Sequence, residues 1–270
     1  MWQLALAIAC TGCAEAARTP GYQWPQALVY RLDYVSQANR DTTPVMHYAE
    51  QRTIQLTPRG DYFLLLQGGL LKSVQDSAGV RVVPLQPEDT LGFAVRLGTH
   101  GELSGVQPSC DPALAACREA LSSVVLLELR RVLPRLPPAG FDSGATWVDT
   151  IRFDEAAKLR GSRGAVITTY AAGGDSVIAG RAYRVVNWRA MRQVWQRTRG
   201  AALPAEAAVG EMGLTLIDRE LNLPAFSTWL GMVPASAEIR AAGATATGFR
   251  GRAYLAGSRF DSLYSRDLTP

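Results

Sequence analysis

Few residues in this chain have the types and spacing that hydrolysis requires. Residues 174–176 read Gly-Asp-Ser, as around the nucleophilic serine of some lipases and esterases, which need a histidine base later in the chain. The two histidines, His47 and His100, both lie earlier, and no Gly-x-Ser-x-Gly elbow occurs. Because the stretch 172–175 is typical of a turn, we interpret it as a turn between strands and predict no catalytic serine.

Acidic residues form two loose groups along the sequence. A glycosidase needs two carboxyl groups facing each other across a cleft, and a metal site needs clustered ligands, but sequence spacing establishes neither. We interpret both groups as solvated strand ends and predict no metal, no cofactor and no catalytic residue, so that an enzyme, such as a hydrolase, ranks third among the functions considered. The groups are Asp149, Asp154 and Glu155, and Glu211, Asp218 and Glu220.

The first residues indicate export. Met1–Ala9 is apolar and uncharged, which is too short for a transmembrane helix but matches the core of a secretory signal, although a basic start is missing. Leu6–Cys10 resembles a bacterial lipobox, in which the cysteine receives lipid. We predict a signal over residues 1–16, with lipidation at Cys10 or, as the alternative, Cys13. A plain signal peptide or an N-terminal core strand are the other interpretations.

The remaining two cysteines, Cys110 and Cys117, favour a disulfide in an exported chain. Within one continuous helix, the seven residue steps from Cys110 to Cys117, at about 1.5 Å each, would give ~10 Å, beyond the ~4.4–6.8 Å between the Cα atoms of a disulfide. We therefore predict the bridge only with Cys110 folded back in the loop before the helix.

Arginines alternate with aromatic residues between positions 181 and 199. Such a stretch can stack on single-stranded nucleic acid or contact anionic lipid head groups. The net charge of +4 is small, and an exported chain would not meet nucleic acid, so we predict no nucleic-acid partner. A solvated arginine face with packed aromatics is favoured, and head-group contact is the alternative. The residues are Arg181, Arg184, Arg189, Arg192, Arg197 and Arg199, with Tyr183, Trp188 and Trp195.

Hydrophobic spacing predicts a single, mainly β (α+β) domain over residues 17–270. Apolar and polar residues alternate in most segments, as in half-buried strands. A helix is predicted over 112–133, with Asp111 as N-cap and Pro134 ending it. We predict a strongly curved antiparallel sheet or open half-barrel with one long helix packed across it. The strands are predicted at 27–39, 46–57, 62–66, 70–74, 80–85, 93–97, 103–107, 146–153, 164–171, 175–179, 183–197 and 207–219, while 224–232 is a strand or a loop.

One stretch after the helix resembles a known arrangement. Residues 133–138 read Leu-Pro-Arg-Leu-Pro-Pro, and residues 144–149 read Gly-Ala-Thr-Trp-Val-Asp. This is similar to bacterial lipoprotein families without an assigned activity, although their pattern has Gly-Asp before the tryptophan. Their architecture is similar to the periplasmic lipoprotein-carrier (Lol-type) fold. The resemblance implies an open β half-barrel with helices over its mouth, and it carries over no catalytic residue.

Together these observations lead us to expect an envelope protein, at the outer membrane or in the periplasm, that binds a lipid or acyl chain between sheet and helix. The membrane contact would be the N-terminal lipid anchor. A structural or protein-interaction lipoprotein with no small ligand is the main alternative, since the same residues could be core. The predicted lining residues are Leu32, Tyr34, Leu64, Phe93, Val95, Leu121, Val125, Trp147 and Trp188.

We predict that the lipid anchor depends on one of the first two cysteines. Replacing Cys10 with serine should move the protein from the membrane to the soluble fraction, because the thiol that receives lipid is gone. Fractionation of Cys10→Ser, Cys13→Ser and the double variant beside wild type measures this. The anchor does not exist if all three are processed and partition as wild type does.

Overall fold

The computed structural model describes residues 21–40, 43–76, 79–84, 91–109, 122–137, 140–142, 144–154, 163–195, 197–198, 201–202, 209–234 and 246–264. In them the chain is mainly β. The strands are β1 (Leu28–Arg40), β2 (Thr43–Arg59), β3 (Tyr62–Asp76), β4 (Gly79–Pro84), β5 (Leu91–Leu97), β6 (Leu103–Pro108), β7 (Thr146–Asp154), β8 (Arg163–Ile178), β9 (Arg181–Trp195), β10 (Arg197–Thr198), β11 (Ala201–Ala202), β12 (Val209–Asp218), β13 (Leu223–Pro234) and β14 (Ala246–Leu255). The helices are α1 (Ser122–Val132) and α2 (Arg259–Tyr264).

Twelve of the strands form one antiparallel sheet. Its order is β6-β5-β3-β2-β1-β14-β13-β12-β9-β8-β7, with β4 paired to β3, while β10 and β11 form a separate small ribbon. The first and last parts of the chain meet where β1 pairs with β14. The predicted antiparallel class and the hairpin of β5 and β6 are confirmed.

Two predicted breaks are absent. The segments 62–66 and 70–74 form a single strand, β3. The turn predicted at 172–175 is wrong, because β8 runs through it with a register shift between Ala172 and Asp175. Gly174 has a φ of +85°, so this glycine pair forms a bulge inside a long strand rather than a reversal of the chain.

The helix α1 lies inside the curled sheet rather than over it. Strands β6 and β7, at opposite ends of the sheet, both contact α1, as do β8, β12, β13 and β14. Every residue from Val125 to Leu133 is buried, so no side of this segment faces solvent. The predicted strongly curved antiparallel sheet is confirmed; it is more closed than a half-barrel, and the described part of α1 lies within it. The predicted helical residues 112–121 lie outside the described part, so the length of the long helix is not confirmed.

Aromatic rings lie over glycines on the inner face of the sheet. In four cross-strand pairs the glycine has no room for a Cβ, because the opposite ring occupies that space. Missing side chains let neighbouring strands bend sharply, and the rings restore the packing that the glycines lack. The pairs are Phe153 with Gly164, Trp188 with Gly213, Trp229 with Gly251 and Phe249 with Gly231.

A second, smaller apolar cluster covers one end of the outer face of β12, β13 and β14. Phe260 of α2 stacks on Phe226, with ring centroids 4.9 Å apart, and packs beside Tyr183, Leu216 and Tyr254. The short helix α2 therefore covers only this end of the outer surface.

We predict that Gly213→Ala destabilises the fold while Gly210→Ala on the same strand does not. A Cβ at position 213 would overlap the Trp188 ring and the Thr228 carbonyl, whereas a Cβ at position 210 would meet nothing within 4 Å. Overpacking of this kind costs roughly 1–3 kcal/mol, and an unobstructed surface change stays within about 0.5 kcal/mol. Urea unfolding measures both. Equal stability of the two variants would refute the role given to the ring–glycine pairs.

Candidate functional site

Most of the side chains predicted to line a ligand pocket meet around α1. Five of them, namely Leu32, Phe93, Val95, Val125 and Trp188, belong to the main hydrophobic core. Tyr34 and Trp147 are half-buried at its edge. Leu64 alternates with the buried Leu65 and so lies on the outer face of β3. Leu121 lies outside the described residues. The described positions therefore act as core, and ligand binding by them stays a prediction.

Charged side chains of α1 attach the helix to the barrel wall in three places. At the first, the Glu128 carboxylate accepts hydrogen bonds from Arg52 Nη1 of β2, at 2.8 Å, and from the Gln67 side-chain amide of β3. Arg52 also donates a hydrogen bond to Glu50, which accepts another from the Tyr48 hydroxyl. Burial and this hydrogen bond raise the pKa of Tyr48. One continuous polar network thus joins α1 to β2 and β3.

The second attachment is fully buried. The Arg130 guanidinium pairs with Asp149 of β7, and Arg130 Nη1 donates to the Gly101 carbonyl at 2.7 Å. Arg130 itself is 0% exposed. Gly101 lies in the β5–β6 loop with a φ of +79°, and a Cβ there would press on Tyr22. Arg130 therefore joins the end of the helix to both the wall and the loop that covers it.

The third attachment is a two-pronged ion pair. Arg131 donates to Glu211 of β12 from Nε, at 2.9 Å, and from Nη2, at 2.6 Å. The guanidinium also lies over the rings of Trp229 and Phe249, 5.4 and 5.5 Å from their centroids. Burial raises the pKa of Glu211, while Arg131 lowers it. A planar guanidinium held between a carboxylate and two rings has one favoured position.

The structure corrects our interpretation of three acidic residues, one of which is Asp218, a buried partner of Arg181. Asp149 and Glu211 are buried partners of the helix arginines, not solvated strand ends. The sequence contained a usable indication, because α1 places Glu128, Arg130 and Arg131 in a segment whose other members are almost all apolar. A charge inside such a segment needs a partner of opposite sign.

The arginine stretch does not form one surface. Arg184 and Arg192 belong to the inner side of β9, where they lie over the rings of Phe141 and Phe153. Arg181 is on the outer side and pairs with Asp218. Arg189, also on the outer side, is exposed. The side chains of Trp195, Arg197 and Arg199 are outside the described part. The alternation of a strand thus divides the stretch between two faces.

An open groove of about 840 Å³ lies on the outer face of β8, β9, β12, β13 and β14. We call it the outer groove and define it by Arg189, Met212, Leu214, Leu230 and Arg250. Four of these residues form one cross-strand row in the order Arg189, Met212, Leu230, Arg250. Met212 and Leu230 are 47% and 57% exposed. The outer groove therefore has an apolar floor that lies between two arginines.

Two features of the described residues leave the groove open. The helix α2 covers the outer face at Leu216 and Tyr254, and no other described helix covers the strand positions beyond them. In the next cross-strand row, Gly210 and Gly248 flank Met232, which is 63% exposed. Neither glycine meets a neighbour closer than 3.9 Å. A second groove of about 640 Å³ shares Leu230 and Arg250 and extends the surface toward β1.

The electrostatics of the outer groove are one-sided. No Asp or Glu is among the described residues that line it or its extension. Arg189 and Arg250 have no carboxylate partner in the described part, whereas the neighbouring Arg252 pairs with Asp33 at 2.6 Å. The groove therefore offers two available cations beside exposed methionine and leucine side chains.

Other kinds of site find little support in the described residues. No group of three or more His, Cys, Asp or Glu side chains among them could hold a metal ion. Neither described helix has the length and apolar character needed to cross a bilayer. Cys10, Cys13, Cys110 and Cys117 lie outside the described part, so the lipid anchor and the disulfide stay predictions.

We predict that Glu211→Gln destabilises the protein strongly. It leaves the Arg131 cation buried without a counter-charge, which typically costs about 3–5 kcal/mol. The double variant Arg131→Met/Glu211→Leu should recover much of this, because it removes both charges. Asp175→Asn, which breaks the exposed pair with Arg219, serves as control and should cost less than about 1 kcal/mol. Chemical denaturation measures all three, and equal losses would contradict the attachment.

No family model and no curated protein matches this chain. Among solved structures, the chain is similar to a protein from Bacteroides fragilis that is inferred to be exported and is assigned a YmcC-like fold. The two are 9% identical, and the superposition covers 88% of this chain and 98% of that one, with a TM-score of 0.28. We draw no functional conclusion from a likeness of this size.

Proposed function

We propose that this protein is an exported protein-interaction barrel of the cell envelope, which binds its partner through the outer groove. The observation that carries the proposal is the exposed apolar row of Met212 and Leu230 between Arg189 and Arg250, which have no carboxylate partner in the described part. Export is supported by the apolar, uncharged start of the chain and the lipobox-like Leu6–Cys10. No catalytic role enters the proposal.

In the described part of the chain, α1 is packed against the barrel wall, which argues against a carrier that holds its ligand there. The described part of α1 occupies the centre, and its side chains are buried from Val125 to Leu133. To admit a lipid, the helix would have to leave the interior. The wall partners of Glu128, Arg130 and Arg131 would then remain buried without their counter-charges. Unpaired buried charges cost several kcal/mol each. The paired charges therefore favour an interior that stays closed.

The outer groove has the composition of a protein-binding surface. Methionine is flexible and polarisable, and it is common where a surface accepts partners of varied shape. Contiguous exposed apolar patches on soluble proteins mark interaction sites. Arginine is enriched at interfaces, where its planar fork binds carboxylates. A surface with both features suits a partner that is apolar in the middle and acidic at its edges.

An acyl-chain ligand in the same groove is the second candidate function. The volume of about 840 Å³ falls within the range of small-molecule sites, roughly 300–1,000 Å³. The arginines would then bind the acid head group. Native mass spectrometry of the purified protein separates the two candidates, since a co-purified lipid mass would favour the ligand and refute the protein-interaction proposal.

We predict that the outer groove is the main hydrophobic binding surface of the folded protein. The double variant Met212→Asp/Leu230→Asp should lower bis-ANS fluorescence severalfold, because it places charge on the apolar floor. Val177→Asp and Leu263→Asp change residues that are 70% and 54% exposed outside the groove, and they should leave the signal near that of wild type. Equal effects of groove and control variants would contradict the proposal, provided that circular dichroism shows all of them folded.

A further inference from the structure

The spacing of the two arginines defines the width of what the groove can hold. Arg189 is on β9 and Arg250 on β14, with β12 and β13 between them. Three strand spacings of about 4.8 Å separate their backbones by roughly 14 Å. An α-helix with its side chains is about 10–12 Å across. A helix lying along β12 and β13 would thus fit between the two arginines.

We propose that the occupant of the outer groove is an amphipathic α-helix of a partner protein, with one apolar stripe and acidic residues on both flanks. This inference rests on the proposed function and specifies the partner. The apolar stripe lies on Met212 and Leu230. The carboxylates on one flank of the helix contact Arg189, and those on the other flank contact Arg250.

An extended peptide does not suit this site. Strands β12 and β13 lie in the middle of the sheet, and both are paired on each side. Their backbone hydrogen bonds are therefore already used, and a further strand cannot be added there. A helix satisfies its own backbone groups and needs only side-chain contacts, which the groove supplies.

A flat membrane surface suits the groove less well than a helix does. The helix α2 packs on the same outer face through Phe260, and a layer packed on a sheet stands roughly 10 Å above it. The floor of the groove at Met212 lies beside this layer. A single helix can therefore contact the floor more readily than a flat membrane surface can. Three successive rows of the groove, at residues 210, 212 and 214 of β12, span about 14 Å.

That length sets the sequence pattern of the partner. About 14 Å corresponds to between two and three helical turns of 5.4 Å. The occupant therefore presents apolar residues at positions i, i+4 and i+7, with glutamate or aspartate beside them on each flank. Carboxylate and guanidinium form the strong, paired hydrogen bonds that give such contacts their selectivity.

Designed peptides test this inference on the full-length protein. The probe is an 18-residue fluorescent helix with a leucine stripe at the stated spacing and glutamates on both flanks. Its twin replaces every glutamate with lysine, and a scrambled peptide keeps the composition without the stripe. Fluorescence anisotropy at low salt measures binding. We expect the acidic helix to bind at least roughly tenfold more tightly than the lysine twin, because two exposed ion pairs are exchanged for two repulsions.

Variants of the protein make the test specific. Arg189→Glu/Arg250→Glu should reverse the preference, so that the lysine twin binds more tightly than the acidic helix. Gly210→Leu places a side chain in the groove, where a Cβ meets no neighbour. It should lower the affinity for the acidic helix roughly tenfold, the loss expected when an apolar contact of this size is blocked. The matched control is Arg59→Glu, which changes an arginine outside the groove and should leave binding unchanged.

Three results would overturn the inference. One is equal affinity for the acidic and lysine helices, and another is an unchanged preference in the doubly reversed variant. The third is that the protein binds vesicles of phosphatidylglycerol but not the acidic helix, and that the doubly reversed variant loses this vesicle binding. That result would assign the groove to a membrane. If the dye experiment locates the apolar surface while the acidic helix fails to bind, the proposed function stands and this inference is wrong.

Discussion

The rest of this structure depends on the requirement that charges inside a barrel be paired. Apolar packing holds α1 in the interior but gives little direction, because hydrophobic contacts tolerate small rotations and shifts. Glu128, Arg130 and Arg131 remove that freedom, since each reaches a partner on a different part of the wall. Any slide or turn of the helix would break at least one pair. The described part of the helix is thus fixed in rotation and height.

The wall can enclose a helix only if the sheet bends tightly, and the ring–glycine pairs allow this. Three of the four pairs, those of Trp188, Trp229 and Phe249, lie on β9, β12, β13 and β14. Trp229 and Phe249 also lie beneath the guanidinium of Arg131. The residues that curve the sheet therefore also position the ion pair with Glu211. Curvature and attachment of the helix are therefore one arrangement, and both use the inner face of these strands.

Sequence periodicity predicted most of the strands, although not β14, and it predicted the environment of charged residues poorly. Alternation along 27–39 and 146–153 located both ends of β1 and of β7 to within one residue. The prediction of a turn at 172–175 from Gly173-Gly174 was wrong. A glycine pair can form either a turn or a bulge within a strand, and the pairing with the neighbouring strand decides between them. Asp149 and Glu211 were misassigned for a related reason: a single strand does not show which helix residue will face it. The groove was missed because Met212 and Leu230 look like core residues until α2 is known to end short of them.

This protein has two kinds of arginine, namely buried ones that stabilise the fold and exposed ones that are available for binding. Arg130 and Arg131 are buried and paired, and their removal would expose the partners to an apolar interior. On the outer face, Arg252 pairs with Asp33 one strand away, which shows that carboxylates within the sheet can neutralise arginines there. Arg250, two residues earlier on β14, has no such partner in the described part, and the positions beside it hold Leu230 and Val35. An exposed ion pair would add little stability at this position, and the apolar neighbours of Arg250 are what our proposal of a binding surface rests on. That contrast, between neighbouring positions of one strand, is the physical reason to look for function on the outside of this barrel.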